Sequence, residues 1–69
     1  MKISARNVLS GKVISIVRGP VSTEVTLEIA PGIQIVSTIT SNSADSLKLA
    51  EGQTAYAVIK ASSVMVGTD

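Results

Sequence analysis

Ten residues, VSTEVTLEIA (Val21 to Ala30), alternate regularly enough to constrain what their neighbours can do. Val21, Thr23, Val25, Leu27 and Ile29 fall on one side of an extended chain; Ser22, Glu24, Thr26 and Glu28 fall on the other. A period of two with β-branched enrichment marks a strand with one buried face. Gly19-Pro20 precedes it and Pro31-Gly32 follows, so a turn bounds it at each end. Pro at the first central position and Gly at the second predict a type II turn at the second junction.

Strand-like segments surround this one. GKVISIVR (Gly11 to Arg18) is nearly apolar on both faces, as in an interior strand or one covered by a partner subunit. IQIVSTIT (Ile33 to Thr40) reads as a third strand, QTAYAVIK (Gln53 to Lys60) as a fourth, and Val64, Met65 and Val66 as a short fifth before a loose tail, Gly67 to Asp69. SNSADSLKLAEG (Ser41 to Gly52) breaks the alternation. There Ser43 is expected to cap a short helix, with Asp45 in its first turn. Gly52 is expected at the left-handed position that ends it. About five strands with one short helix predict an all-β fold, a small OB-like Greek-key β-barrel in a single domain, residues 1–69.

Composition decides what such a barrel can be made of. The chain is 45% apolar, yet Tyr56 is its one aromatic residue, so the core is aliphatic. Ordering costs roughly 1.5 kcal/mol per residue, which burial in a chain this small only about balances. With no cysteine and no histidine, neither a disulfide nor a thiolate or imidazole metal site can supply the difference. A stable homo-oligomer is the expected route.

The same absences narrow the chemistry. Glu24, Glu28, Asp45 and Glu51 read as solvated carboxylates. The Ser and Thr hydroxyls have no evident base, and Lys60 would serve as one only if buried and strongly shifted. An enzyme is not expected. Net charge is +1, with basic residues scattered singly. A nucleic-acid partner would want a basic groove with stacking aromatics. No apolar run approaches the ~20 residues of a membrane-spanning helix, and the opening MKISARN is polar. No membrane partner and a cytoplasmic location are expected.

Anion binding remains. SARN (Ser4 to Asn7) and KASS (Lys60 to Ser63) each join one fixed positive charge to small hydroxyl or amide side chains. TSNS (Thr40 to Ser43) adds hydroxyls. A tetrahedral dianion needs many donors converging at about 2.7–2.9 Å. Periodicity leaves open whether these segments converge.

SARN, the ITxxS element Ile39-Thr40-Ser41-Asn42-Ser43 and the closing KAS resemble the molbindins, small molybdate-binding proteins of the Mop type, across nearly the whole chain. The resemblance implies one Mop/TOBE-like domain with an OB-like barrel, assembled as a homohexamer, a trimer of dimers. It implies molybdate or tungstate bound at subunit interfaces, for intracellular molybdenum storage or homeostasis. Molybdenum would enter as the oxyanion, with no direct metal ligand and no cofactor. The matching positions are Ser4, Ala5 (through its backbone), Arg6, Thr40, Ser43, Lys60 and Ala61, with Asn7 and Ser62 in support. The SARN-type and lysine segments would come from different subunits. A second site near the symmetry axis is also implied; Gly19, Val21 and Ser22 of the turn RGPVS are candidates, although Pro20 lacks an N–H. The alternative is an oligomerisation or regulatory module that binds another anion or none. A single-strand nucleic-acid binder stands third.

Overall fold

The computed structural model describes every residue from Met1 to Asp69. Four strands form one antiparallel sheet: β1 (Asn7–Arg18), β2 (Ser22–Ala30), β3 (Ile33–Thr40) and β4 (Thr54–Ile59). Their lateral order is β3-β2-β1-β4. Three hairpin-linked strands with a fourth returning beside the first make the Greek-key order, as expected. The sheet curls into a half-barrel, and helix α1 (Ser41–Ser46) sits on the return connection. No helix is long and apolar enough to cross a membrane.

The curl begins in β1. Residues Asn7 to Lys12 pair with β4, whereas Lys12 to Arg18 pair with β2. The changeover falls beside Gly11, where a Cβ would stand 2.9 Å from the Glu28 carbonyl oxygen. A side chain there would push β2 away. Just beyond, the register with β2 shifts between Val13 and Ser15, leaving Ile14 as the extra residue of a bulge. A bulge bends its strand and increases local twist. Gly32, at φ +76°, supplies the left-handed conformation that the second central position of a type II turn requires.

Val13, Val25 and Leu27 form the buried core, with Ile16, Ile39, Leu49, Ala55 and Ala57 packed around them. All are aliphatic, as the composition demands. Thr26, assigned to the polar face of β2, is also buried, between Ser15 and Val36 on the flanking strands. Val21 lies outside β2 and is exposed. Only 6 of 69 residues are buried, so one chain encloses very little. The concave face opens between β3 and β4 as a groove of about 670 Å³, lined by Ile35, Ile39, Leu49, Ala57 and Ile59 among others.

Five further expectations differ from the structure. The first strand starts at Asn7, not Gly11, because its earlier residues find β4 as a partner. Val64 to Val66 form no strand: a 3-10 turn at Ala61–Ser63 leads the chain off the sheet, and Met65 and Val66 stand 94% and 92% exposed. A strand exists only where a second backbone completes its ladder.

Helix α1 is capped by Thr40, not Ser43. Thr40, the last extended residue of β3, accepts the Ser43 N–H on Oγ1 at 3.0 Å. Asp45 consequently lies past the first turn, and its carboxylate pairs with Arg18 Nη2 at 2.6 Å. The left-handed residue that closes α1 is Lys48, at φ 52°, not Gly52. Lys48 N–H donates to the Asp45 carbonyl at 3.0 Å and Leu49 N–H to the Ala44 carbonyl at 3.2 Å. This is the paired bonding of a Schellman ending. It turns Leu49 back onto the core after only six helical residues. Gly52, at φ +85°, instead serves the turn into β4.

Candidate functional site

Asn7 pairs with Ile59, and Val8 with Val58, at the first rungs of the β1–β4 ladder. The segments just outside that ladder, before Asn7 and after Ile59, are therefore neighbours. Ile3, Ser4, Ala5 and Arg6 line one open concavity of about 600 Å³ with Val58, Lys60, Ala61 and Ser62. The SARN and KASS stretches thus already meet within one chain.

The chemistry of the concavity is one-sided. No carboxylate lines it, and the ion pair of the chain, Arg18 with Asp45, lies elsewhere. The Arg6 and Lys60 charges are therefore uncompensated. Lys60 is extended, at φ −60° and ψ 130°, and its side chain makes no capping bond to the 3-10 turn that follows. Its carbonyl, by contrast, is occupied by the Ser63 N–H at 2.8 Å. Cations beside hydroxyls and backbone amides suit a ligand that only accepts hydrogen bonds and carries negative charge. No group of three or more His, Cys, Asp or Glu is placed to hold a metal ion.

Thr40 and Ser43 are not part of this concavity. Thr40 pairs with Ser22 and Arg18 with Thr23, which puts the Thr40 end of β3 at the end of the sheet opposite the Asn7–Ile59 rung. β1 runs twelve residues between those ends. At about 3.3 Å per residue this is on the order of 30 Å or more of strand. In the Thr40–Ser43 pair, Thr40 Oγ1 donates to Ser43 Oγ at 2.7 Å while accepting the Ser43 N–H. That leaves the Ser43 hydroxyl proton as the one available outward.

The remaining candidates fall into two roles. Asn7 spends its carboxamide on the Ile59 carbonyl, with Nδ2 donating at 3.3 Å, so it clamps the rung. In the RGPVS turn, the Gly19 N–H donates to the Ser22 carbonyl at 3.0 Å and is not free for an anion. The Gly19 carbonyl accepts from Ser41 Oγ at 2.7 Å. A Cβ on Gly19 would stand 2.6 Å from the Ser22 carbonyl oxygen, so only glycine fits. Two residues went unread in the sequence: Ile3 and Val58, the apolar wall of the concavity. Their proximity depends on the β1–β4 register, which leaves no local signal.

The TOBE domain family model matches residues 3–66 of this chain. A probable molybdenum-pterin-binding protein of Haemophilus influenzae is 49% identical over 69 residues, covering all of both chains. The solved structure of MopII from Clostridium pasteurianum matches with a TM-score of 0.91 at 45% identity, covering 97% of this chain and 100% of that one. A molybdate binding protein from Sporomusa ovata matches with a TM-score of 0.91 at 35% identity, covering 99% and 100%. The half-barrel is thereby the expected OB-like fold. The chain belongs to the TOBE domain family and, within it, to the Mop-type molybdenum-pterin-binding proteins.

Proposed function

We propose that this chain binds molybdate, and by the same chemistry tungstate, as a means of intracellular molybdenum storage or homeostasis. The observation that carries the reading is the concavity that Arg6 and Lys60, neither of them in an ion pair, line together with Ser4, Ala5, Ala61 and Ser62. The chain's similarity to a probable molybdenum-pterin-binding protein and to a molybdate binding protein supports the identity of the anion. The mechanism is binding, not turnover: the site offers donors and fixed positive charge to an anion. Selection against sulfate, which carries the same charge, comes from cavity size and donor placement.

The full site draws on more than one copy of the chain. Thr40 and Ser43 lie at the opposite end of the sheet from Arg6 and Lys60, so the two sets converge only between chains. Self-assembly also answers the exposure of the apolar groove and of Val64, Met65 and Val66. A homohexamer, a trimer of dimers, satisfies both requirements, in a protein that works in the cytoplasm.

Native mass spectrometry tests this, with molybdate, with sulfate and with neither. A hexamer that gains several molybdates and no sulfates is the expected result. An assembly identical in all three conditions, with no anion taken up, would favour a purely structural oligomerisation module.

A further inference from the structure

Thr23 is wholly buried on the concave face of β2, where an apolar side chain would complete the core equally well. Its hydroxyl has a specific partner: Thr23 Oγ1 and Ser41 Oγ are 2.8 Å apart. Ser41 Oγ donates to the Gly19 carbonyl at 2.7 Å. A hydroxyl has one proton, so with the Ser41 proton on Gly19, Thr23 is the donor to Ser41. The Ser41 backbone N–H also donates, to the Val21 carbonyl at 2.7 Å. Three hydrogen bonds thus tie Ser41 to the start of β2 and the turn before it.

Ser41 is the residue between Thr40 and the rest of α1, two positions before Ser43. Its anchorage sets where the Thr40–Ser43 pair stands, and hence where the free Ser43 hydroxyl proton points. We propose that Thr23 and Ser41 are positioning residues for the oxyanion site. They touch no ligand; they act by locking the Thr40–Ser43 hydroxyl pair to the buried end of β2. The inference rests on the anion-binding reading of Thr40 and Ser43 given above.

Two considerations set this role apart from plain stability. Replacing both partners of a buried hydrogen bond by apolar groups of the same shape is often nearly neutral for folding, so burial alone does not require these hydroxyls. The α1 cap is met by Thr40 without help from Ser41. Placement of a donor, by contrast, matters steeply, because a hydrogen bond prefers an angle above about 150° and weakens steeply below about 120°.

The test is the double variant Thr23→Val/Ser41→Ala, which removes both hydroxyls of the buried pair and leaves only the half-buried Gly19 carbonyl without its donor. Molybdate and sulfate titrations by calorimetry are run beside urea unfolding and native mass. The expected result is unchanged assembly, a molybdate Kd raised on the order of tenfold, and a smaller molybdate-to-sulfate ratio. Thr23→Val alone keeps the Ser41–Gly19 bond and serves if the double variant folds poorly; Ser41→Thr restores the hydroxyl and should restore wild-type affinity. Lower stability with unchanged Kd and unchanged ratio would overturn the inference while leaving the anion reading intact. A wild-type protein that takes up no molybdate would overturn both.

Discussion

Asn7 and Ile59 face each other across the β1–β4 ladder, and the Asn7 carboxamide donates to the Ile59 carbonyl at 3.3 Å. Arg6 and Lys60 each lie one residue beyond that rung. Two cations far apart in the chain come to line the same concavity, with no carboxylate among its lining residues.

Arg6→Ala and Lys60→Ala should therefore each weaken molybdate binding. A hydrogen bond to a charged group is worth about 1.5–3 kcal/mol, which corresponds to roughly 10- to 100-fold in Kd. Both side chains are exposed, so the fold should survive. Isothermal titration of each variant checks this; wild-type affinity in both would remove these residues from the site.

Thr40 and Ser43 should separate cleanly. Thr40→Ala removes the α1 cap and costs about 1 kcal/mol of stability, in addition to any loss of affinity. Ser43→Ala leaves Thr40 Oγ1 still accepting the backbone N–H of residue 43, so stability should stay within about 0.5 kcal/mol while affinity falls. Thermal unfolding and ligand titration on the same pair of variants give the comparison.

Gly11→Ala should destabilise without touching the concavity. The new Cβ would meet the Glu28 carbonyl oxygen at 2.9 Å and the Leu27 Cβ at 3.4 Å. Overpacking of this kind costs about 1–3 kcal/mol, readable as a lower urea midpoint. An unchanged midpoint would mean that β1 and β2 separate there at no cost.

Lys48→Gly should do the opposite. Lys48 occupies the left-handed region at φ 52°, which costs a residue with a Cβ about 1–2 kcal/mol. Glycine avoids that cost but loses part of it in unfolded-state entropy. A net gain of up to about 1 kcal/mol is expected, seen as a higher Tm with molybdate affinity unchanged.

Assembly should appear in the thermodynamics. The proposed homohexamer would cover part of what a chain with only 6 of 69 residues buried leaves exposed, so on that reading Tm should rise with protein concentration. Molybdate at a hundredfold excess over Kd should add about 2.7 kcal/mol per site. A concentration-independent Tm in differential scanning calorimetry would show that the half-barrel is stable alone.

Legibility followed the range of the interactions. The inner face of β2 at Thr23, Val25 and Leu27, the Pro31-Gly32 turn and the exclusion of thiol and imidazole chemistry could all be read directly, because each depends on residues near one another in sequence or on composition. The SARN and KASS donor sets were legible as chemistry for the same reason. The helix ends were harder: capping by Thr40 and closure by Lys48 depend on how β3 and Leu49 meet the core, and local propensity favoured Ser43 and Gly52. The signal for Thr23 was a hydroxyl on the otherwise apolar face of an alternating strand. Its partner, Ser41, lies eighteen residues on and could not be read from the pattern.

By itself the sequence determined an aliphatic, strand-rich chain with donor-rich anion chemistry, since dihedral preferences, side-chain alternation and the donor inventory are local properties. Tertiary structure alone decided that β1 changes partners at Lys12, that Arg6 and Lys60 share a concavity, and that Thr40 and Ser43 lie at the other end of the sheet. Those outcomes depend on register between segments up to 52 residues apart. Register is set by the packing of the whole sheet, because a one-residue slip would turn every side chain to the opposite face.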